Sequence, residues 1–164
     1  LIFLKKLIWL TLKENAMGLD MYLNAKRYLW KTQEEDGDIA QKISDIGIGN
    51  GGMRVKEITC EAMYWRKANA IHYWFVQNVQ SGVDDCREYY VTRKQLESLL
   101  GVCNEVLSDF RKADDLLPPA EGFFFGSTKI DDWYFDDIKS TIGMIERLLK
   151  NTSDEWELYY ASSW

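Results

Sequence analysis

Leu19–Leu29 reads LDMYLNAKRYL, and its apolar residues Leu19, Met21, Leu23 and Ala25 fall on alternate positions. A period of two sends successive side chains to opposite faces, so the stretch is expected to be a strand with one buried side. Working outward, Arg54 to Cys60 alternates in the same way, and Tyr89 to Val91 makes a short strand behind a polar loop. Glu157 to Trp164 (ELYYASSW) closes the chain as another strand. Gly122 to Thr128 (GFFFGST) reads as a buried strand with glycine at both ends.

Helical patterns lie between these strands. After an acidic turn at residues 34–38, Ile39, Ile43 and Ile46 keep helical spacing, and that helix is expected to end near Gly47. Met63 to Val79 reads as a helix that is apolar on nearly every side, which makes it central and buried. Thr92 and Gln95 have the spacing of a capping box, and the helix they open carries Leu96, Leu99, Leu100, Cys103, Val106, Leu107 and Phe110 on one face. A last helix, capped by Asp131 or Asp132, runs to about Lys150 with Tyr134, Ile138, Ile142, Ile145 and Leu149 inward. Helices and strands intermix without a βαβ repeat. The expected fold is therefore α+β, a single domain with a mostly antiparallel sheet covered by three to four helices. Residues 17–164 form this domain, and residues 1–16 are an N-terminal extension or a short helix.

Composition narrows the function classes. Apolar residues make up 46% of the 164 and only two are proline, so one packed core is expected. The net charge of −6 disfavours direct duplex DNA binding and anionic lipid. Lys5 and Lys6 interrupt the apolar run Leu1–Leu12, which is too short to span a bilayer, so no membrane role is expected. Cys60, Cys86 and Cys103 are widely spaced and odd in number, as for free thiols in a cytoplasmic protein. With His72 as the one histidine, no metal site is expected, and no motif calls for a cofactor.

Arg66, Lys67, Asn69 and His72 gather on the helix read at 63–79, and Asp84, Asp85 and Glu88 follow it in one loop. One reading is a structural network of ion pairs and hydrogen bonds. The other is a pocket in which Arg66 and Lys67 hold a small anionic, nucleotide-like ligand while His72 exchanges a proton. Cys86 sits among carboxylates and is not expected to act as a nucleophile. The acidic group Asp131, Asp132, Asp136 and Asp137 suits a helix dipole better than a metal ion. Phe124 and Trp133 are secondary candidates for a contact surface.

Met17–Leu23 (MGLDMYL), Tyr64–Phe75 (YWRKANAIHYWF), Val83–Tyr89 (VDDCREY), GFFFGST with Asp132 and Trp133, and the terminal YYASSW together carry a likeness. They resemble a family of small proteins found in bacteriophages and in bacterial genomes that carry prophages. The resemblance covers Met17 to Trp164. It implies a phage-associated protein of the host cytoplasm that binds and interferes with a host protein, such as a CRISPR or restriction defence component. The alternative, carried by the Arg/Lys/His/Asp cluster, is a ligand-binding protein or enzyme; a binding role without catalysis is the favoured expectation.

Overall fold

The computed structural model describes residues 18–47, 53–122 and 125–164. Among these, β1 (Asp20–Tyr28), β2 (Glu57–Arg66), β3 (Tyr89–Val91) and β4 (Glu157–Ser163) form one sheet in the order β2-β1-β4-β3. Every pairing is antiparallel. The helices are α1 (Glu34–Asp45), α2 (Asn69–Asn78), α3 (Arg93–Ser108), α4 (Ala113–Leu116) and α5 (Asp132–Asn151), with a 3-10 turn at Phe110–Lys112. The fold is α+β, an antiparallel sheet covered by helices.

The alternation read in β1 sets the layers. Met21 lies opposite Trp65 on β2 and Ser162 on β4, and Leu23 lies opposite Met63 and Tyr160. These inward side chains are buried together with Ile71 and Phe75 of α2, Leu96 and Leu99 of α3, and Ile138 and Ile145 of α5. Each such side chain contributes roughly 1.5 to 3 kcal/mol by leaving water. The Phe75 ring stacks on Tyr160 with centroids 3.9 Å apart and planes 6° apart. Trp65 brings a polar handle into this core, and its indole N–H donates to the Thr141 hydroxyl at 2.9 Å.

Several expected elements take a different form. The helix read at Met63–Val79 is the end of β2, a turn, and then α2. The physical cause is a β-bulge: Leu23 pairs with Met63 but Asn24 pairs with Glu61, which leaves Ala62 as the extra residue. The residues on one face of β2, Ile58, Cys60, Met63 and Trp65, of which Cys60 is exposed, thus take one step of three residues, and that step mimics helical spacing. The chain turns at Lys67, whose φ of 61° is left-handed and whose N–H donates to the Leu19 carbonyl at 2.7 Å.

GFFFGST does not give the expected strand in its described part. Phe125 is buried, but residues 125–128 lie outside the sheet, and Gly126 takes a φ of 88°. Residues 34–38, expected as a turn, belong to α1, where Glu34, Glu35 and Asp36 occupy the dipole-favoured first turn. Asp36 is buried and accepts from the Trp30 N–H at 2.8 Å and from Arg27 at 3.0 Å. Leu107 and Phe110, expected inward, are exposed: α3 turns Leu96, Leu99, Cys103 and Val106 to the core, which leaves Leu107 off that face, and Phe110 lies beyond the helix end at Ser108. The capping box at Thr92 and Gln95, the Asp131 cap and β3 lie where the spacing placed them.

Candidate functional site

His72 projects from α2 into the core and is 1% exposed. Its Nδ1 lies 2.8 Å from the Tyr160 hydroxyl, and Phe125 meets the ring edge-on with centroids 5.0 Å apart. The Nε2 atom has no hydrogen-bond partner among the described residues. Asp84 Oδ1 stands 3.2 Å from Nε2, an ion pair only when the imidazole is protonated. Burial pushes the His72 imidazole below its ordinary value, and the Asp84 charge opposes this only in part. His72 is therefore neutral at pH 7. Burial likewise holds the Tyr160 phenol well above its ordinary value, so it stays protonated.

A cavity of about 490 Å³ opens beside this pair. One wall is α2, through His72, Val76 and Gln77, and the facing wall is Pro118, Pro119 and Phe125. Asp84 and Glu121 line it as well, and no Lys or Arg does among the described residues.

The residues singled out from sequence do not converge here, apart from His72 and Asp84. Arg66 ends β2 on the opposite side of the sheet, where its Nη1 donates to both carboxylate oxygens of Asp20 at 2.9 and 3.0 Å. It is neither buried nor near His72. Lys67 lines a separate cavity of about 260 Å³ with Trp133, which is 79% exposed. Asn69 is a clamp: its amide donates to the carbonyls of Phe125 at 3.0 Å and Ser127 at 2.8 Å. Asp85 accepts from Arg87 at 2.6 Å and from the Tyr89 hydroxyl at 3.0 Å, on the surface. Glu88 pairs with Lys26 across the sheet edge at 2.7 Å. Phe124 lies outside the described residues. Among the described residues no group of three His, Cys, Asp or Glu side chains is placed to hold a metal ion.

A second surface was not singled out from the sequence at all. Helices α2, α3 and α5 pack on one face of the sheet, and on the other face each strand carries a tyrosine: Tyr22, Tyr64, Tyr90 and Tyr159. Tyr22 and Tyr64 are cross-strand partners with ring centroids 5.4 Å apart, and Tyr90 and Tyr159 are partners at 5.7 Å. Tyr64 is 41% and Tyr90 56% exposed. Lys26 lies over the Tyr159 ring, and the Tyr64 hydroxyl donates to Asp20.

Family models, curated proteins and solved structures gave no match to this chain. The two surfaces are thus read from their own chemistry. The tyrosine face had a signal in the outward positions of the alternating stretches, once β2 is read as continuing to Arg66. Tyr160 had none, because it meets His72 from 88 positions along the chain.

Proposed function

We propose that this chain is a binding protein that engages a protein partner through the open, tyrosine-bearing face of its sheet. The observation that carries the reading is that all four described strands place a tyrosine on the one face that no described helix covers. Tyrosine offers a large, stiff contact area with a polar tip, and it is enriched where proteins meet. Asp20, Arg66 and Lys26 around these rings supply the polar, mixed-charge rim typical of such surfaces. That the partner is a host protein of the cytoplasm, encountered by a phage-encoded factor, rests on the resemblance of the sequence motifs. No helix among the described residues is long and apolar enough to cross a membrane, which accords with that setting. The anionic-ligand alternative finds less support, because Arg66 and Lys67, whose side chains meet beside Gly18, do not line the cavity that holds His72.

The test uses the double variant Tyr64→Ala/Tyr159→Ala, which removes outward-facing rings and is expected to melt cooperatively. Wild type and variant are used to capture proteins from bacterial cells, with mass spectrometry as the readout. The expected result is a host protein held by wild type, lost to the variant, and recovered as a complex from purified components. Identical captures by the two would refute the assignment of the face.

A further inference from the structure

The cavity of about 260 Å³ lies between the starts of α2 and α5, on the helical side of the sheet, and partner binding through the tyrosine face leaves it unused. Asn69 shapes it. This side chain is 5% exposed and pins the neighbouring loop by donating to the carbonyls of Phe125 and Ser127. With both amide hydrogens spent on the loop, Oδ1 points away from it. Oδ1 accepts no hydrogen bond among the described residues, yet it is not sealed from solvent, and Asn69 lines this cavity. A buried side chain thus holds out a free acceptor to whatever enters.

Asp137 supplies a second acceptor. Its half-buried carboxylate lines the same cavity and pairs with no cation among the described residues. Lys67 and Lys129 line it too, and neither ammonium meets a carboxylate there. Lys67 is fixed in place by its left-handed φ of 61° and by two glycines along its stem: a Cβ added at Gly18 would come within 2.8 Å of its Cε, and one at Gly126 within 3.3 Å of its Cβ.

The lining therefore carries both signs of charge. An anion meets Asp131 and Asp137, a cation meets the two lysines, and either is repelled by part of the wall. A hydroxyl both donates and accepts, so a ring of hydroxyls satisfies amide oxygen, carboxylate and ammonium together. Trp133, 79% exposed, adds a broad apolar surface to the lining. The volume falls just short of the ~300 Å³ at which drug-sized sites begin, which suits one ring rather than two.

We propose that this cavity binds a single sugar ring, with its C–H face on the Trp133 indole and its hydroxyls shared among Asn69 Oδ1, Asp137, Lys67 and Lys129. The same chemistry is offered by a free monosaccharide and by the terminal unit of a glycan. The inference is independent of the tyrosine face.

The experiment titrates the full chain with glucose, galactose, mannose and N-acetylglucosamine, each as the free sugar and as its methyl glycoside. Amide NMR shifts at Ala70 and Gly126 are followed. Butyrate, n-butylammonium and alanine stand for an anion, a cation and a zwitterion. Saturable shifts with at least one sugar are expected, with affinity at least tenfold weaker in Trp133→Ala and in Asp137→Ala. Tighter binding of the free sugar marks a monosaccharide ligand; tighter binding of the glycoside marks the end of a glycan. Each variant is melted first, and Trp133→Ala, at an exposed position, keeps the test open should Asp137→Ala fail to fold. Absence of saturation with every sugar overturns the proposal, as does equal binding of any of the three charged controls. Affinity unchanged in a folded variant overturns it too. The double variant Tyr64→Ala/Tyr159→Ala is expected to bind sugar as wild type does, so the two readings fail separately.

Discussion

His72 is buried and Asp137 half-buried, and their effects on stability run in opposite directions with pH. The folded pKa of His72 lies below its unfolded value, so the unfolded chain takes up a proton first as pH falls. Stability is then lost below about pH 6.5, with a slope of up to about 1.4 kcal/mol per pH unit until the folded group also titrates. In denaturant titrations between pH 7 and 5, His72→Gln is expected to lose less stability than wild type; parallel curves would contradict this. Asp137 behaves in reverse. Burial, helped by Asp136 and Asp131, raises its carboxyl to about 6, so its favourable protonated state is lost as pH rises through that value. Asp137→Asn is therefore expected to be more stable than wild type at pH 8 by on the order of 2 kcal/mol, and equal to it near pH 4. Chemical denaturation at the two pH values decides it.

At the scale of elements, α3 begins with a full capping box, and Gln95 also donates to the Asn78 carbonyl at 2.8 Å, which ties the start of α3 to the end of α2. Thr92→Ala should cost about 1 kcal/mol in urea unfolding, and no loss would mean the cap is redundant. This cap was readable because its two residues signal each other over three positions. β1, β3, β4 and α5 were readable for the same local reason, their periods being unbroken. The helix read over Met63–Arg66 failed at one residue, Ala62, because a bulge breaks period two in a way that only the partner strand reveals. The candidate cluster failed with it: once Arg66 and Lys67 leave the helix, they no longer share a face with His72. What remained, His72 with Asp84, lies within one helix and its following loop, and so was visible from the sequence. Tyr160, Pro118 and Glu121 reach the cavity through the tertiary fold, and no local pattern announces such meetings.

For the whole molecule, the net charge of −6 sets an expectation of no appreciable complex with random duplex DNA at physiological salt. A salt-sensitive micromolar complex in a fluorescence titration would contradict it. Because the sequence pattern of strands and helices is complete from Met17 onward, removal of residues 1–16 is expected to leave a single cooperative thermal transition. Loss of cooperativity would place that segment in the core. The bulge at Ala62 also bears on how copies of this protein behave in a crowded cell. β2 is an outer strand of ten residues, and no described strand pairs with its far side. A long straight edge of that kind is a template on which identical chains stack into fibrils. The surplus residue bends the edge, and Glu57 and Glu61 set like charges along it. A second copy approaching edge to edge meets a kinked, negatively charged rail, which guards this protein against polymerising with itself.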